Sequence, residues 1–443
     1  MLNHKLKTLC LLLAATSVAA CNNNGTSAVP NANAATATTP PQFTVKQAQD
    51  VSNFKTGTKT LALDIAFGSA AFHLNTDPYN VVYTMTDRGP NIKCKDATKV
   101  FGASAAPAAA FCPKGNKIFP TPAYSPSISK WQVDATGVAL LETIQMKDSY
   151  GNPISGLSNP TSVLLPTEAN YDKNGVVFAG DPNGLDPEAL VKMTDGTFWV
   201  AEEYGPSILH LSATGRVLKR FVPQGVEVQL AAATYPVVGT LPAILSKRKL
   251  NRGFENIAIS PDELSIYFMV QSPLANPAVA DYKTSRNVRF FKFDIATSSV
   301  VGEYVYELDL PATFTADASI KQSDVKLSEM VATGLDQLIV LERLSKTTKL
   351  YRINLLGATN IFGTKWDNIG TLPSLEQSNL VTAAITTVSK TLAMDSARDY
   401  PGLLPSKVEG IGLLNNNDLV LINDNDFGIT GKSTQITIIP ALP

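Results

Sequence analysis

PEALVKMTDGTFWVAEE, residues 187–203, is the stretch of sequence that decides the fold. A glutamate opens a short apolar run, an Asp-Gly turn follows, and a second apolar run ends in two acidic residues. Short runs rich in β-branched and aromatic residues, bounded by turn residues, are typical of paired β-strands. The stretch therefore predicts two antiparallel strands with carboxylates at one end of the pair.

The same pattern of glutamate, strand, turn, strand and polar end recurs along the chain. Three further copies match it: FENIAISPDELSIYFMVQ at 254–271, SEMVATGLDQLIVLER at 328–343 and VEGIGLLNNNDLVLIND at 408–424. A degenerate copy runs from Leu63 to Thr86, ends in Asp87-Arg88 and has no opening glutamate. One strand unit repeated in this way indicates a repeat architecture.

The repeat predicts an all-β fold of the β-propeller class. A single unit cannot bury both of its faces, whereas several units around an axis bury them against each other. We count five blades, and the interval between Leu63 and Glu188 leaves room for a sixth. The alternative is a β-sandwich whose segments are similar by accident. Residues 374–395 have apolar side chains at helical spacing and predict a helical insertion.

The N-terminal residues predict export and lipid attachment. Lys5 and Lys7 precede a short apolar run, and small residues come directly before Cys21. This pattern is typical of a bacterial lipoprotein signal peptide over residues 1–20, after which Cys21 is lipidated. The alternative is an ordinary signal peptide that is cleaved after Ala20 and leaves a free thiol.

Composition separates a tether from a folded domain after the signal peptide. Residues 21–41 are mainly Asn, Ala, Thr, Gly, Ser and Pro without charge, which predicts a flexible linker. Residues 42–443 are expected to form the propeller domain. We expect the protein in the cell envelope, anchored by its lipid to the outer membrane, and facing the periplasm or the cell surface.

Charge and cysteine content limit the partners and the compartment. The formal net charge is -1, from 37 basic and 38 acidic residues, so bulk charge does not attract nucleic acid. Cys94 and Cys112 lie in a loop-like stretch and predict a disulfide in an oxidising compartment. Two buried thiols are the alternative. We expect a monomer that meets the membrane only through its lipid.

Propeller geometry brings the carboxylates of the repeats to one central channel. The opening glutamates are Glu188, Glu255, Glu329 and Glu409. The candidate catalytic residues are Glu188, Glu255, Glu409, Glu202 and Glu203. Converging oxygen ligands suit Ca²⁺ or Mg²⁺, and the candidate metal ligands are Asp87, Glu342, Asn256, Asp424 and Asp426. The alternative is that these acids cap strand ends or pair with nearby arginines.

Arginines next to the acids predict recognition of an anionic group. Arg88, Arg252 and Arg343 are the candidate substrate-binding residues, because a guanidinium fork suits phosphate or carboxylate. Internal ion pairs are the alternative. After Ala20 the only histidines are His73 and His210, and no Gly-x-Ser-x-Gly motif occurs. These absences exclude a three-histidine zinc site and a nucleophile elbow, so carboxylates with a metal or a polarised water are the expected catalytic groups.

Longer motifs surround these residues: DRGP at 87–90, GLDPE at 184–188, AEEYGP at 201–206, NRGFEN at 251–256, QSPL at 271–274, LER at 341–343, VEG at 408–410 and NDNDFG at 423–428. Together they resemble the phytase-like family, whose members are called esterase-like. The resemblance spans residues 55–440, and the family name implies ester or phosphoester hydrolysis. The copy that reads Ser328-Glu329-Met330 lacks the usual glycine after the glutamate, which puts Glu329 in doubt as a pocket residue.

Two classes of function follow from these observations. The first is an exported hydrolase that acts on a small-molecule ester or phosphoester, with Ca²⁺ or Mg²⁺ as the only expected cofactor. A Ca²⁺-dependent lactonase would share this geometry and differ in substrate. The second is a non-catalytic propeller that binds a ligand or a partner, which is favoured by the absence of an identifiable nucleophile.

Overall fold

Short strands make up most of the regular structure. The computed structural model describes residues 39–51, 60–101, 111–134 and 136–442. The predicted signal peptide, the lipidation site Cys21 and most of the predicted tether lie outside these ranges. None of the helices in the described ranges is long and apolar enough to cross a bilayer.

The regular elements of the described residues are short and numerous. The strands are β1 Gln42–Val45, β2 Ala48–Val51, β3 Leu61–Asp64, β4 Ala70–Phe72, β5 Val81–Met85, β6 Ile92–Lys93, β7 Lys117–Phe119, β8 Ser127–Asp134, β9 Gly137–Gln145, β10 Asn170–Asp172, β11 Val177–Phe178, β12 Pro187–Lys192, β13 Phe198–Glu202, β14 Ser207–Leu211, β15 Val217–Pro223, β16 Val237–Leu241, β17 Phe254–Ile259, β18 Ser265–Val270, β19 Asn287–Asp294, β20 Ser299–Glu307, β21 Lys326–Gly334, β22 Gln337–Arg343, β23 Thr348–Asn354, β24 Ser389–Asp395, β25 Val408–Leu413, β26 Leu419–Asn423 and β27 Thr434–Ile439. The α-helices are α1 Ala97–Phe101, α2 Val279–Thr284 and α3 Ser396–Asp399, and short 3-10 helices lie at Cys94–Asp96, Ala243–Lys247, Pro311–Thr313, Gln322–Asp324, Lys365–Asp367, Leu375–Gln377 and Asp426–Gly428.

Five sheets share one layout. Each has four antiparallel strands that lie side by side in the order in which they occur along the chain, except that β1 is the last strand of sheet 5. We number them sheet 1 (β4-β5-β8-β9), sheet 2 (β12-β13-β14-β15), sheet 3 (β17-β18-β19-β20), sheet 4 (β21-β22-β23-β24) and sheet 5 (β25-β26-β27-β1). In sheet 2, β16 adds a further strand parallel to β15. The fourth strand of sheet 5 comes from the other end of the described chain, because β1 pairs antiparallel with β27.

The first strands of the five sheets pack side by side. Strand β4 contacts β12, β12 contacts β17, and the series continues through β21 and β25 back to β4. Their C-terminal ends line one cavity of about 260 Å³, to which each strand contributes a side chain: Phe72, Val191, Ala258, Met330 and Leu413. Segments far apart in sequence therefore surround one space between the first strands, which we call the channel.

Apolar side chains between adjacent sheets hold the first strands in place. Between sheets 2 and 3, the ring of Phe293 meets the rings of Trp199 and Phe221 edge-on, with centroids 5.9 and 5.2 Å apart. All three side chains are buried. Burial of one large apolar side chain contributes roughly 1.5–3 kcal/mol, so contacts of this kind stabilise the sheets against each other and set the geometry of the channel.

A β-bulge lies at the start of the first strand in sheets 2 to 5. The pairing with the second strand skips one residue in each, namely Glu188, Glu255, Ser328 and Glu409. In sheet 1, Gly68 and Ala70 both pair with Met85, which leaves Ser69 at the corresponding place. Because a bulge turns a side chain out of the regular ladder, each sheet offers one polar side chain at this end of the channel.

The helix predicted over residues 374–395 is wrong. After a 3-10 turn at Leu375–Gln377 the segment forms turns and then strand β24. Ile385 is buried but Val381 is 89% exposed, so the apolar spacing does not mark one face of a helix. Ala384 has a φ of 55°, outside the right-handed helical region. The following residues instead pair with β23, where β-branched side chains are favoured.

The first repeat begins later than the sequence predicts. Leu63 lies in β3, which pairs with β2 in a separate two-stranded sheet. Its side chain packs in an apolar cluster with Ile92 and Ile118. The alternating apolar residues Leu61 and Leu63 therefore do mark a strand, but this strand does not line the channel. The first strand of sheet 1 begins at Ala70 instead.

The interval that leaves room for a sixth blade contains a sheet of another type. Its strand order is β11-β10-β7-β6, and β7 and β10 run parallel. The predicted disulfide between Cys94 and Cys112 is confirmed, and it lies in the apolar cluster next to this sheet. The interval is thus an insertion with its own small core rather than a copy of the repeated layout.

Candidate functional site

Two polar positions recur in the five sheets at the same end of the channel. The bulge position is occupied by Ser69, Glu188, Glu255, Ser328 and Glu409. The other position lies at the end of the second strand, two residues after the residue that pairs with the one following the bulge. It is occupied by Asp87, Glu203, Gln271, Arg343 and Asp424. The three bulged glutamates are between 6% and 9% exposed, so they meet solvent only through a small opening.

Three carboxylates from sheets 1 and 2 form an acidic triad. Asp87, Asp186 and Glu188 each place one carboxylate oxygen within 4.8 Å of the others. Asp186 is 3% exposed, so little water separates the charges. This triad could hold a metal ion, because hard cations such as Ca²⁺ bind carboxylate oxygens at about 2.3–2.6 Å and so bring two ligands of one ion to this separation.

Asp186 is the member of the triad that the sequence predictions missed. It lies two residues before Glu188, and side chains at i and i+2 of an extended segment share one face. That spacing was the available signal. Two residues before the bulge, sheet 4 has Lys326 and sheet 5 has Lys407. Sheets 4 and 5 therefore place positive charge at the position where sheet 2 places the negative charge of Asp186.

Burial and neighbouring carboxylates raise the pKa of Glu188, Asp87 and Glu203. Burial raises the pKa of Glu188 well above its ordinary value, and the like charges of Asp186 and Asp87 raise it further. Burial and Asp186 raise the pKa of Asp87, and burial and Glu255 raise the pKa of Glu203. Carboxyl groups in this condition take up a proton or bind a cation near neutral pH.

Cationic side chains from sheet 4 adjoin the acidic residues. Arg343 contacts the carboxylate of Glu409, and its Nε donates a hydrogen bond of 2.8 Å to the Oγ of Ser328. Ser328 donates to an oxygen of Glu255 over 3.0 Å. Burial and two neighbouring arginines lower the pKa of Lys326 to about 8, against the attraction of Glu255 and Glu409.

Lys407 neutralises part of the acidic group in sheet 5. Its Nζ lies 2.6 Å from a carboxylate oxygen of Asp424 and 2.6 Å from one of Asp426. Asp424 and Asp426, which were predicted as metal ligands, therefore lie beside the triad, and Lys407 pairs with both of them. Asp424 still acts on Asp87, whose pKa it helps to raise.

The structure places the predicted substrate-binding arginines in three different surroundings. Arg343 lies in the group described above. Arg88 is 2% exposed, and its guanidinium donates hydrogen bonds to the carbonyl oxygen of Gly156, at 2.9 Å, and to Glu168, at 3.2 Å. Its Nη1 also lies 3.5 Å from Asp186, so Arg88 positions a triad carboxylate. Arg252 is partly exposed and contacts the side-chain oxygen of Gln271.

Three other predicted site residues bind elsewhere. Glu202 pairs with Arg220 over 3.2 Å and accepts hydrogen bonds from loop backbone amides. Glu342 pairs with Lys390 over 2.6 Å. The side-chain oxygen of Asn256 accepts a backbone hydrogen bond of 2.6 Å from strand β18. None of the three is among the residues that the structure brings together as the triad.

Glu329 lies one residue away from the bulge position of sheet 4. Its Oε1 accepts hydrogen bonds from the backbone amides of Ile257, at 3.3 Å, and Met330, at 3.0 Å. Ser328 occupies the place that glutamates hold in the neighbouring sheets. Glu329 is therefore shifted by one residue relative to the bulged glutamates of sheets 2, 3 and 5. The missing glycine after Glu329 was a sign of this shift.

Both histidines of the described chain lie away from the triad. The Nδ1 of His73 is 2.7 Å from the carbonyl oxygen of Val81, and His73 lines the cavity at the opposite end of the channel. His210 stacks on Trp199, with ring centroids 4.7 Å apart. The described residues thus place no histidine where it could activate a serine beside the acidic triad.

The comparison with protein families decides the relationship. A family model described as phytase-like, "Esterase-like activity of phytase", matches residues 74–427. The chain belongs to the phytase-like family. The matched span contains the whole acidic triad and four of the five bulge residues, so the resemblance seen in the sequence motifs is confirmed.

Individual proteins add less than the family match. The phytase-like chain is 32% identical over 204 residues to an uncharacterized secreted protein of Arthroderma benhamiae, a match that covers 40% of this chain and 39% of that protein. The chain thus matches well under half of the length of this relative.

The phytase-like chain is also similar to distant solved structures. A luciferin-regenerating enzyme aligns with a TM-score of 0.32 and 10% identity, over 91% of this chain and 93% of the other. The hydrazine synthase of Kuenenia stuttgartiensis aligns with a TM-score of 0.30 and 12% identity, over 73% and 85%. At these scores nothing is transferred from either protein.

Proposed function

We propose that this protein hydrolyses an ester or phosphoester of a small molecule at the acidic end of the channel. The proposal rests on one observation: a carboxylate triad and a group of cationic side chains lie at the same end of the channel. Asp87, Asp186 and Glu188 supply oxygen ligands, while Lys326 and Arg343 supply positive charge close to Glu255 and Glu409. Hydrolysis of a phosphoester gains from both features, because negative charge develops on the oxygens of the reacting group.

The framework for this site is inferred to be a five-bladed β-propeller, with sheets 1 to 5 as its blades. Three observations support this inference. The first strands contact each other in a series that returns to its start, their far ends share one cavity, and β1 completes the last sheet. The small sheet then combines β6 and β7, inserted within the first blade, with β10 and β11, which lie between the first and second blades.

Ca²⁺ is the first candidate for the triad, with Mg²⁺ as the alternative. The spacing of the carboxylate oxygens fits one ion, and burial together with like charges raises the pKa values of Asp87 and Glu188, a cost that a bound cation would reduce. Ca²⁺ accepts irregular sets of carboxylates, whereas Mg²⁺ demands octahedral geometry. A bound ion would supply Lewis-acid polarisation of an ester oxygen or a water molecule.

The side chains around the triad have separate proposed roles. Glu203 has a raised pKa and is not a member of the triad, so it is the candidate to accept and return a proton. Arg343 is held by Ser328 and Glu409 and offers positive charge to an anionic oxygen. Arg88 acts as a positioning residue for Asp186.

Turnover measurements test the proposal. The purified protein is assayed with phytate, p-nitrophenyl phosphate, p-nitrophenyl acetate and a simple lactone, each with Ca²⁺ and with EDTA. We expect one substrate class to be turned over, and kcat to fall at least about 100-fold in Glu188→Gln and Glu255→Gln. Glu142→Gln, an exposed change on β9, is the matched control. Equal rates in the wild type and both site variants would contradict hydrolysis at this site, and absence of turnover by the wild type would leave a binding function.

We also propose that the protein is exported and anchored through Cys21. The disulfide supports an oxidising compartment, and the Arthroderma relative is described as secreted. The residues before Cys21 have the lipoprotein pattern. In a host that processes lipoproteins, the wild type should fractionate with membranes and Cys21→Ser should become soluble. Equal membrane association of the two forms would contradict lipid anchoring.

A further inference from the structure

A second polar cavity lies between the disulfide region and sheets 3 and 4. It has a volume of about 410 Å³. Six cationic side chains line it: Lys93, Lys95, Lys114, Lys117, Lys249 and Arg252. Lys326 lines it as well and also acts on Glu255 and Glu409, so the cavity borders the acidic residues of the channel. We call this cavity the lysine pocket.

The lysine pocket carries more positive than negative charge, although Asp96 acts on Lys93 and the acids of the channel act on Lys326. Among the described residues that line it, Glu168 is the only acidic one, and its carboxylate already pairs with Arg88 over 3.2 Å and with Lys117 over 3.6 Å. Among the described residues, five lysines of the lining form no salt bridge: Lys93, Lys95, Lys114, Lys249 and Lys326. The undescribed residues 102–110 contain no Asp or Glu that could supply the missing charge.

Burial and neighbouring positive charge both disfavour the charged form of two of these lysines. Loss of solvent and the charges of Lys117 and Lys95 lower the pKa of Lys93. Loss of solvent and Arg252 lower the pKa of Lys249. Charges of one sign that are brought together without counterions are unfavourable, and an anion in the cavity would remove this cost.

Covalent structure holds part of this charge in place. Lys93 and Lys95 flank Cys94, and Lys114 lies two residues after Cys112. The disulfide therefore ties these two lysine-bearing segments together. Lysines on separate flexible loops would move apart to reduce repulsion, whereas here the backbone keeps them around one cavity.

We propose that the lysine pocket binds a small, multiply charged anion, with its phosphate-type oxygens held by Lys93, Lys249 and Lys326. The volume of the cavity suits a ligand with a few anionic groups. Binding in the pocket does not require hydrolysis at the triad. A ligand with one anionic group in the pocket and an ester near Lys326 could nevertheless reach both sites, which would add recognition of a second charge to the proposed reaction.

Calorimetric titration with sodium tripolyphosphate in EDTA and 150 mM NaCl tests the pocket directly. We expect saturable binding with a stoichiometry of one, and an affinity that falls as NaCl is raised, because salt screens charge. The double variant Lys93→Gln with Lys249→Gln should bind at least about tenfold more weakly. Lys46→Gln with Lys346→Gln is the matched control, since it removes the same charge from exposed lysines outside the pocket and should change affinity less than about twofold.

The outcomes separate this proposal from the hydrolase. Absence of binding by the wild type, or equal weakening in the two double variants, would overturn the lysine pocket as a site. Glu188→Gln should keep tripolyphosphate binding in EDTA even where it abolishes turnover. All four exchanged lysines are at least partly exposed, and the exchange of Lys93 and Lys249 removes like charges, so the variants should melt at the temperature of the wild type or higher. A loss of affinity then reports the ligand contacts.

Discussion

At the scale of single residues, the site is a balance of charge in a small buried volume. Glu188 is affected by the like charges of Asp186, Asp87, Glu203 and Glu255. The fold holds these groups together through strand pairing and inter-sheet packing, so they cannot separate to relieve repulsion. Protonation and cation binding are the two remaining responses, and the first two predictions distinguish them.

Glu188→Gln should remove the response of the protein to Ca²⁺. In the wild type, Ca²⁺ at about 100 times its Kd should contribute about 2.7 kcal/mol to the stability of the folded state and raise the Tm by a few degrees. In EDTA the variant should melt at the same temperature as the wild type or higher, because a neutral amide replaces a carboxylate among like charges. Differential scanning calorimetry with and without Ca²⁺ gives both values.

Exposed Glu142→Gln is the control for this experiment and should respond to Ca²⁺ like the wild type. A lower Tm of Glu188→Gln in EDTA, combined with an intact Ca²⁺ response, would show that Glu188 is not a ligand and that its charge is stabilising.

The stability of the metal-free protein should fall as the pH rises towards neutrality. Glu203 has a pKa raised above its ordinary 4.5 by burial and by Glu255. Its stabilising contribution is therefore complete below about pH 4.5 and is lost as the pH rises through the raised value. Between pH 5.5 and 7.5 in EDTA, the Tm of Glu203→Gln should decrease less, or increase more, than that of the wild type.

The comparison between the two proteins is needed because other groups titrate in the same range. Burial lowers the pKa of His210, which has the opposite effect on stability, and this contribution is the same in both proteins. An identical pH dependence of the two Tm values would contradict the raised pKa of Glu203.

At the scale of elements, the sequence predicted the strands well and the site in part. Short apolar runs with turns between them identified the channel strands, and the motif around Glu188 identified the acidic end. The one-residue bulge was not predictable from the pattern, so Glu329 was aligned with the bulged glutamates although Ser328 holds that place. A bulge depends on the pairing of two strands, which a single run of sequence does not contain.

Other differences between the sequence expectations and the structure also come from long-range structure. The spacing of apolar residues in 374–395 fits a helix, but pairing with β23 favours a strand at its end. Arg88 lies in a sequence motif that suggested substrate binding, but its guanidinium forms ion pairs with Glu168 and Asp186. Both outcomes depend on partners that lie tens of residues away in sequence.

The insertion that carries the disulfide gives a prediction at this scale. The double variant Cys94→Ser with Cys112→Ser should lose about 2–4 kcal/mol of unfolding free energy, as expected for the opening of a loop of this length. It should also bind tripolyphosphate more weakly, because the segments of Lys93 and Lys114 are no longer tied. Denaturant unfolding and calorimetric titration measure the two effects.

The lysine pocket variant provides the reference for the disulfide variant. It should lose affinity without losing stability, whereas the disulfide variant should lose both. Unchanged affinity after removal of the disulfide would show that the small apolar cluster around Ile92 and Ile118 is sufficient to hold the lysines.

At the scale of the whole molecule, the site depends on a closed series of sheets. No single sheet contains the triad, since Asp87 follows β5 of sheet 1 and Asp186 precedes β12 of sheet 2. The cationic side comes from sheets 4 and 5. Any change that loosens the contact between sheets should therefore affect the site before it affects the strands themselves.

Removal of β1 tests this dependence. A chain that begins at Lys46 lacks the strand that pairs with β27 and the buried side chain of Val45. It should lose at least about 2 kcal/mol of stability and show a weaker Ca²⁺ response than a chain that begins at Thr39. Equal stability of the two truncated chains would show that sheet 5 is complete with three strands.

The pairing of β1 with β27 also orders the events of biogenesis. Ribosomes release β1 before β27, so sheet 5 cannot be completed until β27 has emerged. A chain that passes through a translocation channel could therefore not complete this sheet until β27 had passed. Late closure of this kind would keep the polypeptide competent for transport and let it mature only at its destination.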